Sequence, residues 1–186
     1  MRIVAGNLRG RKLASVNGLR IRPTADRVRE ALFNILDRRP VEAAVLDLFA
    51  GTGALGIEAL SRDARIAVFV ENGTQALAAL RKNIGLCRIE VRSRVIRWDI
   101  RKNLNCLKTY PRYFDLVFMD PPYRQSLVQP TFNHLLDIKT LAPQALVVVE
   151  HDPTEIIRPP ASTLAGVDSR RYGRTQLSFF EFRGLE

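Results

Sequence analysis

Over its first forty residues the chain alternates apolar and basic positions in short, glycine-punctuated stretches: Arg2-Ile-Val-Ala-Gly, Arg9-Gly-Arg-Lys-Leu and Gly18-Leu-Arg-Ile-Arg-Pro. Alternation over so few residues predicts short strands or a hairpin. Thr24 then offers an N-cap oxygen, and Val28, Leu32, Phe33, Ile35 and Leu36 recur at helical spacing until Pro40. That spacing predicts an amphipathic helix with one face against the body of the protein. From residue 45 the rhythm changes. Continuous apolar runs at 45–49, 66–71, 114–120 and 145–150, with a looser alternation at 92–98, are separated by helical patterns at 54–60, 74–84 and 127–136. Strands that are apolar on both faces and joined by helices predict a parallel sheet covered on each side. Two last runs, 167–172 and 177–183, flank Gly173-Arg-Thr and predict an antiparallel hairpin. The expected class is α/β, a mostly parallel seven-stranded sheet closed by that hairpin.

A length of 186 residues suits one domain with a small extension. The change of pattern divides it into a basic N-terminal hairpin and helix at 1–40 and a main domain at 41–186. No apolar run approaches the ~20 residues of a bilayer span. The N-terminus lacks the apolar core and cleavage site of an export signal. Two cysteines, Cys87 and Cys106, suit reduced thiols better than a disulfide framework. A cytoplasmic protein is expected, and nothing demands more than a monomer.

Charge is distributed unevenly. The net charge is +10, from 29 basic and 19 acidic side chains. Residues 1–40 hold ten of those cations against three acids. A basic face gathered in one segment is the footprint of a phosphate-backbone binder, although a merely solvated surface or an acidic protein partner has the same composition.

Gly51-Thr-Gly53-Ala-Leu-Gly56 follows the first apolar run and opens a helix, and Glu71 lies 20 residues past Gly51 at the end of the next run. This arrangement provides a backbone that a ligand can approach closely, a helix N-terminus and a carboxylate for ribose hydroxyls. A dinucleotide would set its pyrophosphate on the loop. Asp47, four residues before Gly51, disfavours a dianion there and suits a ligand with a cationic amine. S-adenosylmethionine has that amine, a ribose for Glu71 and an adenine whose amine Asp99 could meet.

Asp120-Pro121-Pro122-Tyr123 directly follows the run at 114–120. Two prolines stiffen the turn and remove two N–H donors, leaving carbonyls exposed. A carboxylate beside a rigid carbonyl forms an acceptor pair for an exocyclic –NH₂ and aims its lone pair at a methyl donor, which is catalysis by positioning and electrostatics. Tyr123 offers a face on which an unpaired base can stack.

Asp47-Leu-Phe-Ala-Gly-Thr-Gly resembles the first cofactor motif of class I methyltransferases, Val70-Glu-Asn the second, and Asp120-Pro-Pro-Tyr123 is similar to the catalytic D/N-P-P-Y motif of amino-group methyltransferases. The likeness is wider still. Arg2-Ile-Val-Ala-Gly with Arg9-Gly-Arg, the block from Arg22-Pro-Thr-Ala-Asp to Phe-Asn-Ile-Leu36, Gly53-Ala-Leu-Gly-Ile-Glu-Ala-Leu-Ser-Arg and Arg171-Tyr-Gly-Arg-Thr together resemble the RsmD family over nearly the whole chain. Thr52 stands where serine is common, a hydroxyl for a hydroxyl.

The resemblance implies a Rossmann-like class I methyltransferase that moves a methyl group from S-adenosylmethionine to the N2 amine of one guanine in 16S rRNA of the small ribosomal subunit or its assembly intermediates. Asp47, Phe49, Ala50, Gly51, Thr52, Gly53, Glu71, Asn72 and Asp99 would hold the cofactor. Asp120 and the Pro121 carbonyl would hold the amine, with Pro122 stiffening the turn and Tyr123 stacking on the base. Arg9, Arg11, Lys12, Arg22, Arg27 and Arg29 are the candidate RNA contacts, since arginines suit both phosphates and base faces.

His134 and His151 make no metal-ligand spacing with Cys87 and Cys106, so no metal is expected. Trp98 and the Phe179-Phe180 pair read as packing residues. Asp-Pro-Pro-Tyr by itself does not choose among guanine N2, adenine N6 and cytosine N4. A dehydrogenase using the same glycine loop, or a non-catalytic RNA-binding assembly factor on this fold, are the rivals from other classes.

Overall fold

A computed structural model describes residues 1–16, 23–108, 113–123, 125–158 and 162–184. Seven strands form one sheet, in the order β3-β2-β1-β4-β5-β7-β6. The strands are β1 (Ala44–Leu48), β2 (Ile66–Glu71), β3 (Ser93–Arg97), β4 (Phe114–Met119), β5 (Leu141–His151), β6 (Leu164–Tyr172) and β7 (Thr175–Phe182). The first five run parallel, and β7 runs antiparallel between β5 and β6. Every residue of β1 is buried, as a central parallel strand covered on both faces requires.

Helices α1 (Pro23–Leu36), α2 (Ala54–Ser61), α3 (Thr74–Cys87) and α4 (Val128–Asp137) supply the cover. One apolar layer joins Leu32 and Phe33 of α1, Ile57 and Leu60 of α2 and Leu80 of α3 to Val45, Phe69 and Phe118 of the sheet. The opposite layer joins Phe132 and Leu135 of α4, with Ile100, Leu104 and Leu107, to Leu46, Val68 and Val117. Helix α1 begins at Pro23, so Thr24 lies in its first turn rather than capping it.

The basic N-terminal segment belongs to the first of these layers. Ile3, Leu8 and Leu13 are buried in the same core as α2. The predicted hairpin is a tight loop with one antiparallel bridge, Arg2 to Lys12, and hydrogen bonds from Ile3 N to Arg11 O (3.0 Å) and Leu13 N to Met1 O (3.0 Å). It is fastened to α2 by side chains. The Glu58 carboxylate accepts the N–H groups of Val4 (2.8 Å) and Ala5 (2.9 Å), and Ser61 Oγ accepts that of Leu8 (2.9 Å).

Strand β5 starts at Leu141, earlier than its apolar run, because its pairing with β4 shifts register between Phe114 and Leu116 and Gln144 takes a left-handed φ of 62°. The irregularity brings Pro143 and Gln144 into the strand and hides its first turn from a pattern based on alternation. Among the described residues no helix is long and apolar enough to cross a membrane.

Candidate active site

The strand order reverses direction between β1 and β4, and open α/β sheets take their ligands at the carboxyl edge beside such a switch. Asp120 N reaches Leu48 O at 3.5 Å, so the proline turn and the glycine loop sit side by side at that edge. A cavity of about 840 Å³ opens there. Asp47, Phe49, Ala50, Gly51, Thr52, Asp120 and Tyr123 all line it, which gathers residues up to 76 positions apart onto one surface.

The loop itself is shaped by three left-handed residues, Phe49 (φ 59°), Gly51 (φ 56°) and Gly53 (φ 80°). At Gly51 the space where a Cβ would stand is open, the nearest atom being Phe49 O at 3.9 Å. At Gly53 the same space is filled by Leu80, Ile57 and Phe69, so this glycine serves the packing of loop on helix and does not line the cavity. Gly51 therefore leaves its backbone approachable, whereas Gly53 and Gly56 let α2 lie close against the sheet.

Two carboxylates tie the loop down. Asp47 Oδ2 accepts the Gly56 N–H at 2.9 Å. Burial raises the Asp47 pKa to about 8; the bond from Gly56 opposes the rise, and the Glu71 charge adds to it. Glu71 Oε2 accepts the Gly51 N–H at 2.7 Å, and its Oε1 accepts those of Asn72 (2.8 Å) and Gly73 (2.6 Å) at the start of α3.

A second hollow of about 250 Å³ shares Phe49 with the first. Its wall is largely apolar, from Phe49, Trp98, Ile100, Pro122 and Leu127, with Glu71, Asn72 and Asp99 at its polar edge. Trp98 packs against the core layer beneath α4, as its reading as a packing residue expects, and its half-buried ring also lines the hollow, with its Nε1–H on Asn103 O at 2.9 Å. Phe179 and Phe180 do lie in the core. Asp99 reaches the hollow with both oxygens already engaged by Arg101, at 2.8 and 2.9 Å. Those bonds lower its pKa, so the charged form persists there.

At the proline turn Pro121 is buried, Pro122 exposed and Tyr123 half-buried. Asp120 opens into the cavity, and no hydrogen bond from the described residues reaches its carboxylate. Protein surrounds it on the remaining sides. That surrounding, followed by the charges of Glu150 and Asp47, holds its pKa well above the usual carboxylate range. Tyr123 turns its hydroxyl inward, with Glu150 Oε1 and Thr175 Oγ1 each at 3.0 Å.

Several lining residues had no place in the sequence reading. Glu150 closes the apolar run of β5, and Tyr172, Gly173, Arg174 and Thr175 form the β6–β7 turn. The signal for Glu150 was its position at the end of a buried strand, level with Asp120. For the hairpin turn it was the Arg171-Tyr-Gly-Arg-Thr block. Met1, Val16, Val28 and Leu32 add an apolar wall from the N-terminal segment.

Of the candidate RNA contacts, Arg9, Arg11, Lys12 and Arg27 are exposed. Arg22 lies outside the described residues. Arg29 corrects the expectation, being only 4% exposed. Its guanidinium is committed to Arg2 O, Asp26 (3.1 Å) and Glu58 (3.4 Å), which makes it a structural group rather than a surface cation. His151 is buried, with its ring nitrogens on Ser178 Oγ (2.9 Å) and Asp152 O (3.0 Å). Among the described residues no group of His, Cys, Asp and Glu could hold a metal ion.

Comparison with known proteins agrees with this geometry. The sequence matches the family described as "Conserved hypothetical protein 95" over residues 1–181. It is 42% identical to ribosomal RNA small subunit methyltransferase D of Escherichia coli K12 over 152 residues, 82% of this chain and 75% of that protein. The chain belongs to the RsmD family. A Haemophilus influenzae protein of the same name is 39% identical over 88% of this chain and 86% of its own length. The solved structure of Escherichia coli yhhF superposes with a TM-score of 0.87 at 36% identity, covering 100% of this chain and 99% of that one. The α/β sheet with its C-terminal antiparallel pair is accordingly the RsmD fold.

Proposed function

We propose that the chain transfers a methyl group from S-adenosylmethionine to the exocyclic N2 amine of a guanine in 16S rRNA of the small ribosomal subunit. The observation that carries this reading is the Asp120 carboxylate. Among the described residues it has no hydrogen-bond partner, and it stands in a cavity whose other wall is the approachable Gly51 loop. Membership of the RsmD family, whose relatives are named as small-subunit rRNA methyltransferases, supports the choice of substrate.

The residues present suit the cofactor. The apolar hollow walled by Phe49, Trp98, Ile100, Pro122 and Leu127 has the character that a flat adenine needs. Glu71 retains lone pairs for ribose hydroxyls beyond the three N–H groups it accepts. Asp47, close behind the loop, suits a cationic amine. S-adenosylmethionine would supply an electrophilic methyl group on a cationic sulfur.

The chain's own contribution is then positional. Asp120 and the Pro121 carbonyl accept the two hydrogens of the amine and direct its lone pair, and Tyr123 supports the ring of an unstacked base. The amine gives up a proton once methylated, which needs no dedicated base. Arg9, Arg11, Lys12 and Arg27, with Arg174 at the cavity mouth, provide the cationic surface for the RNA backbone.

The test uses small subunits from cells lacking this protein, incubated with it and labelled S-adenosylmethionine and then digested to nucleosides. Label in N2-methylguanosine is expected. Label only in a methylated adenine or cytosine would move the substrate to another amine. The absence of label from subunits, free 16S rRNA and DNA would favour the non-catalytic reading.

A further inference from the structure

Glu150 is the acid in the cavity that the reaction as described does not use. It lies next to the last residue of β5, and its Oε1 accepts the Tyr123 hydroxyl at 3.0 Å. A phenol has one proton, so Thr175 Oγ1, also 3.0 Å from that hydroxyl, is the donor to it. Thr175 reaches this position because β7 lies antiparallel against β5, pairing Glu150 with Leu177 and His151 with Gln176. Glu150 is thereby held in one orientation, and its Oε2 has no hydrogen-bond partner among the described residues.

Two carboxylates with free acceptor positions thus face one cavity. They are electrically close, since the Glu150 charge raises the pKa of Asp120. The cations on the cavity wall do not neutralise them. Arg29 is committed to Arg2, Asp26 and Glu58, and Arg174 is exposed at the mouth. Both carboxylates keep unfilled acceptor positions on the cavity, so the site favours a ligand that brings several N–H donors side by side.

The three candidate bases differ in that respect. Adenine N6 adjoins N1, and cytosine N4 adjoins N3, both lone-pair acceptors that a second carboxylate would repel. Guanine N2 adjoins N1–H, a donor. We propose that Glu150 is the guanine-specificity residue, its free carboxylate oxygen accepting the N1–H of the base while Asp120 accepts the neighbouring N2 amine. This inference rests on the reading of the substrate as a nucleobase amine and names which one.

Short oligouridylates with one central guanine, hypoxanthine, 2-aminopurine or adenine test it, titrated by fluorescence anisotropy in the presence of S-adenosylhomocysteine. 2-Aminopurine keeps the amine but lacks N1–H; hypoxanthine keeps N1–H but lacks the amine. The wild type should bind guanine at least about tenfold more tightly than 2-aminopurine, and hypoxanthine more tightly than adenine, because a site built to accept a donor rejects an analogue without it. Glu150→Ala should abolish both preferences by weakening guanine and hypoxanthine alone. Glu150→Gln, whose amide oxygen still accepts, should restore part of them. Four oligomers bound alike by the wild type, binding none of them included, overturns the assignment. So does a Glu150→Ala protein that weakens on all four equally. Methyl transfer to small subunits, read in parallel, separates the two levels. Base preference that depends on Glu150, in a protein that methylates nothing, removes the methyltransferase reading and leaves Glu150 as a guanine reader. N2-methylguanosine formation with an unchanged ratio in Glu150→Ala does the reverse.

Discussion

Arg29 Nε lies 3.4 Å from Glu58 Oε2, and both side chains are withdrawn from solvent, at 4% and 1% exposure. The same carboxylate accepts the N–H groups of Val4 and Ala5 and pairs with Arg62 at 3.1 Å. One acid of α2 therefore fastens both α1 and the N-terminal loop to the body. Glu58→Ala leaves a buried guanidinium and two N–H groups without their acceptor. The expected loss is about 3–5 kcal/mol of stability, read by urea denaturation. Hydrogen exchange at Val4 and Ala5 should accelerate beyond the global change.

Arg27 and Arg29, two residues apart on α1, should respond in opposite ways. Arg29→Ala should lower the melting temperature, because it strands Glu58 in the interior. Arg27→Ala, like the triple variant Arg9→Ala, Arg11→Ala and Lys12→Ala, should leave the melting temperature unchanged and weaken rRNA binding. The salt dependence of that binding should flatten by about 0.7–0.9 in log–log slope for each phosphate that the variant no longer neutralises. A triple variant with wild-type slope would place the RNA elsewhere.

Asp120→Ala should lower the methyl-transfer rate constant by roughly two to three orders of magnitude, the scale found on removing one preorganised group that acts in the transition state. Cofactor affinity, measured by calorimetry, should stay within a factor of about two, which is about 0.4 kcal/mol. Because Asp120 acts as an acceptor in its charged form, and protein burial with the Glu150 and Asp47 charges holds its pKa up, activity should rise with pH through a limb above the ordinary carboxylate range. Glu150→Gln removes one of those charges, so the limb should move to lower pH.

Asp47 makes a prediction on stability and another on cofactor binding. Its pKa is raised to about 8 by burial, so the folded state prefers the protonated form. The associated stability is full below the ordinary carboxylate range and is lost as pH rises towards 8. Asp47→Asn keeps an oxygen for the Gly56 N–H and removes the titration. Its melting temperature relative to wild type should climb steadily between about pH 4 and 8. A cationic ligand amine beside Asp47 favours the charged form, so S-adenosylmethionine binding near neutral pH should release protons. Calorimetric enthalpies should then vary with buffer ionisation enthalpy in the wild type and much less in Asp47→Asn.

Much of the site was legible because its chemistry is carried by short local motifs. Gly51, Thr52, Asp47 and Glu71 are tied by strand–turn–helix–strand geometry within one βαβ unit, and Asp120–Tyr123 is a single stiff turn. Glu150 and Thr175 carry weaker marks, the end of an apolar run and the last residue of the Arg171-Tyr-Gly-Arg-Thr block, neither of which names a role. Glu150 enters the site because β5 pairs with β4, which sets it level with Asp120, and Thr175 because β7 inserts between β5 and β6. Arg29 misled for the opposite reason. Along the sequence it is one basic residue in a basic segment, and only the packing of α1 on α2 brings Glu58 beside it and turns a surface charge into a buried one.

By itself the sequence determined the class of the fold, the glycine loop, the proline turn and the net positive charge, since each follows from periodicity or from neighbours a few residues apart. The tertiary structure decided which charges face solvent, which glycine faces the cavity and which packs a helix, and which second acid stands beside Asp120. These are relations between residues tens of positions apart. Burial, rather than residue type, sets whether a side chain there binds, titrates or merely holds the chain together.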